Sequence, residues 1–152
     1  MKNRSGRNQY LAALKLEQEG GSSEKVVICL DAAAKKGFAE AQYALGTLFL
    51  HGKYVEKDLT RAFTLLRSAA DQMHAGALFD IGNAIEIGDI PDVDASEAFR
   101  NYVLSMLAGD NDATYEVARC FYYGIGVRED RDLFELFSVG HESIKKERAK
   151  RD

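Results

Sequence analysis

The sequence predicts an all-α fold, a right-handed α/α superhelical solenoid of about 3.5–4 helix-pair repeats in one domain over residues 1–152. Three observations point there. The segment Ala41-Gln42-Tyr43-Ala44-Leu45-Gly46 returns as Ala77-Leu78-Phe79-Asp80-Ile81-Gly82 and again as Ala113-Thr114-Tyr115-Glu116-Val117-Ala118, an offset of 36 residues each time without insertion. Alanine and leucine abound, proline occurs once (Pro91), and few segments alternate strictly between apolar and polar, which favours helices over strands. Hydrophobic residues make up 46% of the chain, enough to bury a continuous core and too many for a disordered one.

The repeats run over 5–37, 38–73, 74–109 and 110–144, with a charged helix end at 145–152. In the first, Tyr10 to Leu16 keep the apolar pattern of a helix without the later spacing, and a second helix follows from Ser22 through Ala33 and Ala34 to Gly37. In the next, Ala41, Leu45, Gly46 and Phe49 share one face of a helix. Gly52 stops it, glycine being tolerant of the left-handed conformation. A partner helix from Asp58 carries Ala62, Leu65, Leu66, Ala69 and Ala70 and ends near Met73. The same offsets set Ile85 and Phe121 with Phe49, and Gly88 and Gly124 with Gly52. Seven or eight helices and no sheet are expected.

Ser22, Asp58, Asp94 and Asp130 each precede a helix and are read as N-caps, with Asp94 and Glu97 at capping-box spacing. Gly46, Gly82 and Ala118 are small where paired helices must cross closely. One pair cannot bury its apolar face alone, whereas stacked neighbours can.

These residues resemble the Sel1-like repeat, a relative of the tetratricopeptide repeat. Phe121-Tyr122-Tyr123-Gly124-Ile125-Gly126-Val127-Arg128-Glu129-Asp130 carries the family turn most fully, and Leu45-Gly46, Gly52, Val55, Asp58, Arg61-Ala62 and Ala69-Ala70 carry an earlier copy. The likeness covers residues 22 to 140. Departures are Leu65-Leu66 and Asn101-Tyr102 at the family's Trp-Tyr position, Ile90-Pro91 for Gly-Val, and Leu133-Phe134 for Lys-Ala.

Little in the chain points to chemistry. A net charge of −4 with both signs interspersed works against non-specific nucleic-acid binding. Cys29 and Cys120 form no CxxC pair and read as free thiols. Gly124-Ile125-Gly126 lacks the rest of a phosphate loop. From Asp110, an EF-hand would need glycine and glutamate where Tyr115 and Phe121 stand. His51, His74 and His141 lack metal or triad spacing, and no GxSxG elbow occurs. No metal, cofactor or catalytic residue is therefore expected. The basic N-terminus is followed by no apolar run, and no stretch approaches a membrane span, so a cytoplasmic location is expected. The basic end Lys145 to Arg151 reads as a solvated helix end, or more sharply as a nucleic-acid or acidic-partner contact.

The resemblance implies that the first helix of each pair lines a concave groove. Its candidate binding residues are Tyr43, Thr47 and His51, then Phe79, Asn83 and Glu86, then Tyr115, Arg119, Tyr122 and Tyr123. Tyr43, Phe79 and Tyr115 share one repeat position. As a row they are either exposed anchors, the kind of residue that dominates binding energy, or rings packed between helices. Tyr122 and Arg119 are expected to be the most exposed. The resemblance implies a non-catalytic interaction module or adaptor that holds another protein or peptide. The alternatives are an enzyme of hydrolase type, or an effector or immunity protein acting by binding.

Overall fold

A computed structural model describes residues 2–148, all of them in helices and the turns between them. The eight helices are α1 (Lys2–Gln18), α2 (Ser23–Lys35), α3 (Ala39–His51), α4 (Leu59–Ala70), α5 (Ala75–Glu86), α6 (Ala95–Leu107), α7 (Asn111–Tyr123) and α8 (Arg131–Arg148), and no strand occurs among the described residues. The first is longer than the apolar pattern at 10–16 implies. The chain divides into two compact units, Met1–Ala77 and Leu78–Asp152. The side chains of His141 and of the basic run from Lys145 onward lie outside the described residues.

Helix ends follow the chain locally. The Asp58 carboxylate accepts from Arg61 N at 3.0 Å, that of Asp94 from Ser96 N at 2.7 Å, and that of Asp130 from Leu133 N at 3.0 Å. Asp110 caps α7 in the same way, at 2.9 Å from Asp112 N. Two expectations fail. Ser22 stands at the start of α2 but its hydroxyl makes no cap bond. The Asp94–Glu97 box does not close, because the Glu97 carboxylate turns forward to accept from Arg100 Nη1 at 3.0 Å and from Asn101 Nδ2. His74 supplies an unexpected cap, its Nδ1 accepting from Ala77 N at 3.2 Å.

In the first unit the core gathers Val26 and Leu30 of α2, Ala41, Leu45 and Phe49 of α3, and Ala62 of α4, all buried. Leu65 and Ala70, read as core, are half-buried. The close crossing occurs where expected. A Cβ on Gly46 would lie 3.1 Å from the Leu66 side chain and 3.3 Å from Ala62 O. In the second unit a Cβ on Gly82 would lie 2.9 Å from the Tyr102 ring and 3.2 Å from Ala98 O. Each of these glycines therefore lets a large residue of the partner helix seat itself in full: Leu66 is 0% and Tyr102 2% exposed. Phe121 is half-buried, edge-on to Phe99 at 5.3 Å and stacked on Phe137 at 5.8 Å. Cys120 is buried among these helices, and desolvation pushes its thiol up to about 11.

The turns after α3 and α7 share one hydrogen-bonded frame. Gly52 and Gly124 both adopt the left-handed conformation. Lys53 N bonds Leu48 O and Asp58 N bonds Phe49 O, as Ile125 N bonds Cys120 O and Asp130 N bonds Phe121 O, all at 3.0 Å.

Candidate functional site

The structure brings four of the sequence-derived candidates together in one groove, bonds Glu86 to one of them and places the others elsewhere. Tyr115, Arg119, Tyr122 and Tyr123 of α7 line a groove of about 380 Å3 with Phe134, Ser138 and Glu142 of α8. Helical spacing explains the wall. Residues 115, 119 and 122 follow one another at four- and three-residue steps on one face, and 123 adds the last turn. Tyr122 is half-buried, edge-on to Tyr123 at 4.7 Å and to Phe134 at 4.8 Å. The Arg131 guanidinium covers its ring at 3.9 Å from the centroid. Tyr115 and Tyr123 are the open members, 52% and 64% exposed.

This corrects the order of exposure read from sequence. Arg119 is half-buried because it is held by carboxylates on two sides. Its Nη2 donates to Glu86 Oε2 at 2.5 Å and its Nε to Glu116 Oε2 at 2.7 Å. Tyr102 Oη donates to the same Glu86 oxygen at 3.0 Å. These charge-assisted bonds are the short, strong kind. Arg119 holds the Glu86 carboxyl below the ordinary carboxylate range, opposed by partial burial. Burial, then Glu86, push the Tyr102 hydroxyl far up, so it stays a donor. Glu86 and Arg119, both candidates for contacting a partner, are thus brought together and spend their charges on each other.

The row Tyr43, Phe79, Tyr115 divides. Tyr43 stacks on His74 at 4.4 Å, over Gly76, where a Cβ would lie 2.9 Å from its ring. Desolvation lowers the His74 pKa, which favours the neutral ring whose Nδ1 caps α5. Phe79 packs against Tyr102 at 5.7 Å. Both are half-buried packing rings, whereas Tyr115 is exposed. Thr47 bonds its own helix at Ala44 O, 2.8 Å away, and with His51 it lines a separate cleft of about 220 Å3 against Ala13 and Leu14 of α1. Asn83 is exposed and lines neither opening.

Among the described residues no group of three or more His, Cys, Asp or Glu side chains could hold a metal ion. No described helix is long and apolar enough to cross a membrane. The helix pairs with their small-residue crossings and glycine turns define an all-α helix-pair repeat protein of the α/α solenoid class. Residues 39–74 and 111–133 match the family model of the Sel1 repeat. Those two segments are Sel1-like repeats within an all-helical chain, and the Sel1 repeat is a protein-interaction repeat type, generally a non-catalytic scaffold.

Solved structures agree. A Sel1 repeat protein from Oxalobacter formigenes is 27% identical with a TM-score of 0.82, over 92% of this chain and 58% of that one. A protective antigen present in uropathogenic Escherichia coli strains, displaying an SLR fold, is 20% identical with a TM-score of 0.83, over 91% of this chain and 30% of that one. A Pseudomonas aeruginosa protein is 20% identical with a TM-score of 0.63, over 91% and 53%. The last two likenesses are of fold alone, and the chain spans less than two thirds of each of these proteins. No curated protein matches the sequence.

Proposed function

We propose that the chain is a non-catalytic interaction module that holds a peptide or protein segment in the groove between α7 and α8. The exposure of Tyr115 and Tyr123 on the wall of that groove carries the reading. Tyrosine offers a large, rigid, partly apolar surface and is enriched where binding energy concentrates. A rigid floor supports it, since Tyr122 is wedged between Phe134 and Arg131, and Arg119 is clamped between Glu86 and Glu116. Binding is the business of the tyrosines, while Arg119 shares their groove with its charge already engaged by Glu86 and Glu116.

The test begins with a pull-down from source lysate and identification of the partner by mass spectrometry. Tyr115→Ala and Tyr123→Ala should then each lower its affinity by about 1–3 kcal/mol without changing the melting temperature. A partner that tolerates both truncations at full affinity sinks the proposal.

A further inference from the structure

The first unit contains a second opening, of about 940 Å3, between α2, the 52–58 turn and α4. None of the tyrosine groove's residues belongs to it. Two register positions explain why it is there. In the second unit Phe121 is met edge-on by Phe99 of α6. The same positions in the first unit hold Phe49 and Val27, so α2 offers Phe49 no ring. In the turn after α7, Gly126 presses so closely on α6 that a Cβ there would fall within 2.1 Å of Ala95 O. Its counterpart is Tyr54, which has a Cβ and so rules out the same approach for the turn after α3. Tyr54 keeps the positive φ of 65°, and its Oη lies 3.3 Å from Glu17 Oε1 of α1, as Lys53 Nζ lies 3.0 Å from the same oxygen. The turn is tied to α1, and a space bordered by Val27, Phe49, Val55 and Leu59 is left beside α2.

The charges on this opening are not equivalent. Asp31 is paired with Lys35 at 2.7 Å, and the Asp58 carboxylate caps α4. Arg61 lies over the Phe49 ring, 4.2 Å from its centroid, and its guanidinium has no carboxylate partner among the described residues. A guanidinium held over a ring by its cation–π contact still has N–H donors to offer a planar anion. The volume is within the range of sites that hold a side chain or small ligand.

We propose that this opening is a second docking site, taking a protein segment that presents an aromatic side chain beside a carboxylate. The ring fills the place that Phe99 fills in the second unit, and the carboxylate pairs with Arg61.

The probe is the peptide acetyl-Gly-Glu-Phe-Glu-Gly-amide, titrated into the 15N-labelled full chain and followed by NMR. Amide shifts should concentrate at Val27, Phe49, Val55 and Arg61. Alanine for the peptide's phenylalanine should weaken binding at least about fivefold, the loss of one buried ring's worth of contact. Val27→Phe should weaken it at least about tenfold by filling the space from within. Should that variant lose its dispersed spectrum, Arg61→Gln on the exposed surface decides the matter, because it should abolish the preference for glutamate over glutamine peptides. Shifts confined to other residues, or unchanged affinity for both variants, overturn the proposal. So does an equal response to the phenylalanine-free peptide, which would mark a bare anion contact. Concentration-dependent shifts of the same amides without peptide would assign the opening to a second copy of the chain, and would also overturn it.

Discussion

The turns 52–58 and 124–130 are bonded alike and packed differently. Each opens on a left-handed glycine, returns through the same two backbone bonds and ends on an aspartate cap. One closes onto α6 through Gly126, and the other carries Tyr54 at that position and keeps a space beside α2. The difference extends through the two units. Two repeats before Phe99 the first unit has Val27, and one repeat before Tyr102 and Glu86 it has Leu66 and Leu50. Backbone hydrogen bonding and capping set the repeat, and the side chain at each register position then decides whether a seam is filled or open.

The largest effect should come from Gly126→Ala. Its φ of +66° and the backbone oxygen 2.1 Å from the new Cβ should together cost about 3 kcal/mol or more, read from urea denaturation. An unchanged midpoint would mean that this turn is not seated on α6, and the comparison would fail. Next come the helix crossings. Gly82→Val meets a buried ring whose hydroxyl is bonded to Glu86, and should cost about 3 kcal/mol. Gly46→Val meets a leucine that can change rotamer, and should cost about 1–2 kcal/mol. Equal costs would show that the two crossings are packed alike.

Arg119→Ala leaves two half-buried carboxylates without their cation and should cost about 1–2 kcal/mol at neutral pH. Glu86 has a depressed pKa in the folded chain, so its share of stability is complete above its ordinary value of 4.5. That share is lost as the pH falls through the lower folded value. The gap between wild type and Arg119→Ala should therefore narrow in acid. A gap independent of pH would assign Arg119 a packing role alone. The smallest effect is a gain. Tyr54→Gly removes a bulky residue from the left-handed region and should raise stability by about 0.5 kcal/mol, most of the relief being offset by glycine's greater freedom when unfolded. A loss instead would mean that the Tyr54–Glu17 contact holds the turn more firmly than the strain opposes it.

What the sequence made legible was whatever repeats or acts within a few residues. Asp58, Asp94 and Asp130 were readable as caps because a cap reaches only two or three residues ahead, and Gly46 and Gly82 because the period returns them. Ser22 misled, since it has the position of a cap and its rotamer depends on more than position. Arg119 misled for another reason. Its i,i+3 neighbour Glu116 was in view, but Glu86 lies 33 residues away and meets it only through packing. Tyr43 and Phe79 share a register with Tyr115, but His74 and Tyr102, which cover them, stand at positions whose side chain changes from repeat to repeat. The opening beside α2 was spelled in the sequence as Val27 and Tyr54. Only the structure showed what Phe99 and Gly126 fill in the other unit.

The two cysteines have a practical consequence. Cys29 belongs to the first unit and Cys120, fully buried, to the second. A thiol reagent reaches a buried sulfur only while the surrounding structure is open. Alkylation of Cys120 therefore times the opening of the second unit, and half-buried Cys29 serves as the more accessible reference thiol in the same chain. Mass spectrometry of tryptic fragments after short pulses of reagent would read both from one native sample, with no probe introduced.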